Sequence, residues 1–190
     1  MNAVATMLRE FDAATEEYNA KKQAVTEQLR PQFHTIFKDY LEAHPCIATL
    51  EATAFTPYFM DGGVCEYSVN ELGATLVDVE VDYAAEFFGS YNDVFEKALA
   101  YLKDGTIPPK NSWNKQADED YAANWPAEHQ YDLDLGVELL EQIVAAKNAG
   151  QELVRTFASI PEDVIKNLFG DHVRIIIDRD GVTTEEYDHD

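Results

Sequence analysis

Apolar residues recur at intervals of four and three from Val4 to Leu29, and beyond Pro45 the interval falls to two. The first spacing sets Val4, Leu8, Phe11, Thr15, Tyr18, Lys22, Val25 and Leu29 on one stripe of a helix over residues 2–29. Thr15 and Lys22 interrupt that stripe, so an isolated coiled coil is not the expectation. Packing against a second helix is expected to cover the stripe, with a homodimer as the alternative. Pro31 suits the first turn of that second helix, whose apolar face is Phe33, Ile36, Phe37, Tyr40 and Leu41 and which Pro45 ends. Residues 1–45 therefore read as a helical hairpin or extension, and residues 46–190 as an α+β unit continuous with it.

The two-residue interval predicts strands at 47–56, 64–70 and 75–82, joined as an antiparallel meander through the turn signal Asp61-Gly62-Gly63. In the last of these Val77, Val79 and Val81 share one face, and Asp78, Glu80 and Asp82 the other. Helical spacing returns at 84–103, with its better part from Tyr91. Residues 104–130 read as a long polar connection carrying both tryptophans. A helix at 132–149 follows, then a further turn or two to Ala158. Ser159 is placed to cap a short helix at 161–169. A hairpin then forms at 173–187 around Asp178-Arg179-Asp180-Gly181. The fold class is α+β: a long N-terminal helix pair, an antiparallel sheet of meander plus C-terminal hairpin, and several more helices.

Charge narrows the range of partners. The chain has 36 acids against 14 Lys and Arg, a formal net charge of −22. Twelve acids and no base lie between Lys38 and Lys97, and eight acids and no base lie in 118–141. Such a chain repels phosphate backbones and anionic bilayers, and its field favours basic protein surfaces. On a strand, Asp78, Glu80 and Asp82 stand about 6.6–7 Å apart, a spacing comparable to nucleic-acid phosphates, with Glu66 one arm earlier. These four carboxylates are the expected partner-binding residues.

The chemistry-bearing motifs are few. No phosphate loop, dinucleotide glycine motif or nucleophile elbow occurs. Cys46 and Cys65 lie on adjacent predicted strands, lack a Cys-x-x-Cys partner and are expected as free, mostly buried thiols. Five histidines and many carboxylates show no pairing diagnostic of a nucleophile and its base. No cofactor or metal is expected. No apolar run approaches the ~20 residues of a membrane span, and no secretory leader is recognised.

The segment TPYFMDGGVCEYSV at 56–69, with the C-terminal segments FGDHV at 169–173 and EEYDHD at 185–190, resembles a group of uncharacterised tailed-bacteriophage proteins. The resemblance covers about a sixth of the chain. It implies a phage-derived protein working in the cytoplasm of a bacterial host, and it carries no activity. The leading expectation is a non-enzymatic acidic protein that binds a basic host protein, with nucleic-acid mimicry in an anti-defence role as one version. A virion or assembly component self-associating through its N-terminal helix is the second. A small, metal-dependent enzyme is the third.

Overall fold

Helix α1 (Ala3–Ala43) runs unbroken through Pro31 in the computed structural model, which describes residues 3–58, 64–79, 87–88, 93–106 and 115–188. The expected pair of N-terminal helices is thus one helix. Proline removes one backbone donor and ordinarily breaks a helix. Here contacts with a later helix, α7 (Glu162–Phe169), hold both sides of the proline. Thr26 Oγ1 donates to Asn167 O at 3.3 Å, Arg30 Nε donates to Leu168 O at 2.9 Å, and the Phe33 ring meets the Phe169 ring edge-on at 4.9 Å. From Phe33 onward α1 buries Phe33, Phe37, Tyr40 and Leu41. From Val4 to Val25 every side chain is exposed, so no second helix among the described residues covers the stripe.

The sheet is organised around β1 (Ile47–Phe55). On one side β1 pairs with β4 (Val173–Ile177), which pairs in turn with β5 (Val182–Glu186). Along its other side lie β2 (Ser68–Val69) and β3 (Gly73–Leu76), both antiparallel to β1. The expected three-strand meander is therefore a single return arm in two pieces. Asn70 stitches the gap between them, its backbone N donating to Thr53 O at 2.8 Å and its side chain to Thr53 Oγ1 at 2.7 Å. The arm leaves the sheet at Leu76 because its partner ends there. Leu76 pairs with Ile47, the first residue of β1, and Val77 N makes one last bond to Cys46 O at 2.9 Å. Val77 and Asp78 form a turn in which Asp78 takes a φ of 57°. The predicted strand at 75–82 thus stops at Leu76, and its residues 80–82 lie outside the described residues.

Helices α2 (Val94–Asp104), α3 (Lys115–Glu128), α4 (Gln130–Asp134), α5 (Gly136–Ala149), α6 (Gln151–Ala158) and α7 complete the fold. Alternate residues Leu50, Ala52 and Ala54 of β1 and Ile175 and Ile177 of β4 join Phe37, Phe95, Trp125 and Ile143 in one core. The polar connection expected over 104–130 is helical at 115–128 and sends Trp125 into that core. The helix expected at 132–149 is divided at Gly136, whose φ of 75° suits glycine. Ser159 turns back to donate to Thr156 O at 2.7 Å, and Pro161 stands at the α7 N-cap instead. At Gly150, between α5 and α6, an added Cβ would collide with the Phe88 ring, so only glycine permits that close approach. Among the described residues, no helix is long and apolar enough to cross a membrane.

Candidate functional site

The segments 56–58, 64–69 and 169–173, distant in sequence, meet at one end of the sheet. Thr56 follows β1, and Asp171 lies in the turn between α7 and β4. Asp171 Oδ1 accepts from Thr56 N at 2.7 Å and from His172 N at 3.0 Å. Its Oδ2 accepts from Thr56 Oγ1 at 2.7 Å and from Lys166 Nζ at 2.9 Å. Around this centre Tyr58 stacks on His172 at 4.6 Å, and Tyr67 Oη donates to Gly170 O at 3.3 Å. The Lys166 ammonium stands 4.6 Å from the centre of the Tyr67 ring. The Phe55 and Tyr187 rings close the same end at 5.6 Å.

The electrostatics of this cluster are those of a latch. Partial burial alone would raise the Asp171 carboxyl. The bonds from Lys166 and Thr56, with the Lys166 charge, outweigh it and hold the group at about 2. Four donors occupy the lone pairs of an ionised carboxylate, so Asp171 is a poor proton acceptor for a substrate. Burial first, then the charges of Asp171 and Glu162, push the Tyr67 phenol up to about 12. The cluster fastens the end of β1 to the α7–β4 turn.

A group with a depressed folded value stabilises above its unfolded value and loses that contribution as pH falls through the folded one. The Asp171 contribution is therefore full above the ordinary carboxyl value of 3.8 and lost toward about 2. Asp171→Ala is expected to cost on the order of 2 kcal/mol near neutral pH, as several charge-assisted bonds vanish. Urea midpoints measured from neutral pH down to acid check this. The gap between parent and variant closes below pH 3.8, and a gap that stays constant through acid contradicts it.

Of the predicted partner-binding residues, Glu66 and Asp78 lie within the described residues. Glu66 lies exposed just before β2, and Asp78 lies exposed just after β3. The β1 partners of those pieces, Phe55 and Ile47, are eight residues apart, roughly 26 Å along a strand. Glu80 and Asp82 lie outside the described residues. A base-free run of exposed acids is helical: Asp120 and Glu128 on α3, Asp134 on α4, and Glu138 and Glu141 on α5. Glu141 pairs with Lys103 at 2.6 Å. Within this stretch Asp132 is buried and binds His129 Nδ1 at 2.9 Å, while the His129 ring stacks on Trp125 at 4.4 Å.

Both cysteines are free, with Cys46 buried and Cys65 half-buried. Burial raises the Cys46 thiol, and the nearby Arg179 charge offsets part of that rise. Among the described residues, no three His, Cys, Asp or Glu side chains converge as metal ligands. A cavity of about 190 Å³ lies between the return arm and α6–α7, lined by Val69, Leu72, Val154, Phe157 and Ile165. That is below the roughly 300–1,000 Å³ of typical small-molecule sites.

The residues that sequence reasoning missed are Asp171, Lys166 and Tyr67. Asp171 and Tyr67 lie within segments 169–173 and 56–69, and Lys166 lies in neither. What the sequence did not display was their contact. The chain matches no protein-family model, no curated protein and no solved structure.

Proposed function

We propose that the protein is a non-enzymatic interaction protein that binds a basic protein surface through its acidic body. It acts inside a bacterial cell, as the resemblance to tailed-phage proteins implies. The observation that carries this reading is the segregation of charge. Residues 1–30 hold four bases and five acids, so all but one of the 22 net negative charges lie beyond them. Within that body Asp171 is saturated by its own donors. A body of this charge speeds encounter with basic partners and repels phosphate.

The end of β3 at Leu76 moves the favoured contact surface away from a regular strand array. The base-free helical run through Glu128, Asp134 and Glu138 is the better candidate. The test is capture of basic proteins from a bacterial lysate by the parent and by a Glu128→Gln, Asp134→Asn, Glu138→Gln variant. Captured protein is expected to elute as salt rises past the point where the Debye length falls below about 10 Å. The variant is expected to bind more weakly by about 0.5–1 kcal/mol per charge removed. Capture indifferent to both salt and substitution would remove the basis of this reading.

A further inference from the structure

We infer that the N-terminal arm of α1 pairs antiparallel with the same arm of a second copy. Val4 to Val25 make up 22 exposed residues, a rod of roughly 33 Å at about 1.5 Å per residue. At its inner end Thr26 Oγ1 donates to Asn167 O of α7 at 3.3 Å. On this rod Met7, Leu8, Phe11, Tyr18 and Val25 are 61, 53, 68, 67 and 54 % exposed. An apolar helix stripe left in water is unfavourable, so the arm needs a surface to lie on.

Three observations select a second copy, and one orientation of it. The first is area. With aromatics offering roughly 150–250 Å² each, the stripe from Val4 to Leu29 presents roughly 700 Å² of apolar side chain per copy. That is close to the ~800 Å² per partner of a standard interface.

The second is charge. The arm is nearly neutral in a chain of net −22, so two copies can meet there without bringing acidic surfaces together. A parallel pair would set the two bodies side by side. An antiparallel pair sets them at opposite ends of a rod of roughly 33 Å, several Debye lengths apart at physiological salt.

The third is register. Stripe positions whose numbers sum to 33 face one another in an antiparallel pair: Val4 with Leu29, Leu8 with Val25, Phe11 with Lys22, and Thr15 with Tyr18. Each interruption of the stripe then meets an aromatic ring. The Lys22 stem lies over Phe11 with its ammonium in water, and the Thr15 hydroxyl lies beside Tyr18. In a parallel pair Lys22 would instead face Lys22.

The test uses the full chain with Cys65→Ser, so that no half-buried thiol competes. Light scattering is expected to give twice the chain mass of 21.4 kDa. Leu8→Glu with Val25→Glu places carboxylates opposite carboxylates and is expected to weaken the dimer roughly a hundredfold, with circular dichroism confirming that the body stays folded. Orientation is read by oxidation. Leu8→Cys and Val25→Cys chains are expected to cross-link when mixed and not when alone. Cross-linking of either chain alone shows a parallel pair and overturns the proposal. A monomer, or a dimer that survives the double glutamate variant, overturns it as well.

Discussion

Replacing Trp125 by alanine is expected to cost about 3–5 kcal/mol, the usual price of emptying a large aromatic site in a core. Trp125 is 1 % exposed and is the buried side chain by which α3 enters the core. Its ring meets Tyr101 of α2 at 6.3 Å and stacks on His129, just beyond α3, at 4.4 Å. Truncation removes both contacts and leaves α3 tied to α2 through Tyr121, whose hydroxyl accepts from Lys97 Nζ at 3.5 Å. For a chain of this size each kcal/mol moves the melting temperature by roughly 2–4 °C, so a fall of about 10 °C is expected by circular dichroism. Trp125→Phe retains most of the apolar surface and recovers part of the loss. A melting temperature within about 2 °C of the parent would show that α3 does not depend on this contact.

Arg179→Ala is expected to destabilise by about 3 kcal/mol, although Arg179 lies in a hairpin turn, where substitutions are usually mild. The α1 helix has no basic residue in its last turn. Arg179 reaches from the β4–β5 turn to supply one. Its Nη2 donates to Leu41 O at 3.1 Å, to Ile47 O at 2.9 Å and, more weakly, to His44 O at 3.4 Å. One guanidinium therefore satisfies carbonyls at the end of α1 and at the start of β1, where the helix dipole is negative. Beside it, His34 Nε2 is 2.8 Å from Asp178 O, and Asp178 Oδ1 accepts from the backbone N of Asp180 and Gly181. Urea unfolding measures the loss. Arg179→Lys keeps the charge but not the planar guanidinium whose Nη2 reaches these carbonyls, and is expected to recover less than half of it. An Arg179→Ala variant as stable as the parent would refute the capping role.

What was legible in the sequence is what depends on neighbours a few residues away. The alternation Val173, Ile175, Ile177 and the Asp178–Gly181 turn gave the C-terminal hairpin, and 47–56 gave β1 to within a residue. The errors occur where a distant segment decides. Pro31 marks a helix start in isolation, and contacts with Asn167, Leu168 and Phe169 override it. The Val77–Asp78–Val79 alternation is a good strand pattern, but β1 begins at Ile47, and past the single bond from Val77 N to Cys46 O the ladder ends. Helix α3 was hidden because its acids and small alanines leave little apolar period and Pro126 lies inside it; the periodic signal was Tyr121 and Trp125, four residues apart. The latch joins Thr56 to Asp171 across 115 residues, a distance that no local pattern spans.

The central claim is that charge and apolar surface are divided between body and arm. Sedimentation velocity of the protein with its captured partner, over salt from about 0.05 to 0.5 M, tests it most directly. The account predicts that the partner leaves as salt rises while the dimer remains, because one contact is between charges and the other is between apolar side chains held far from them. A dimer that tightens with salt would place the two bodies side by side. A dimer that dissociates with salt, or a partner that stays bound throughout, would contradict the division itself.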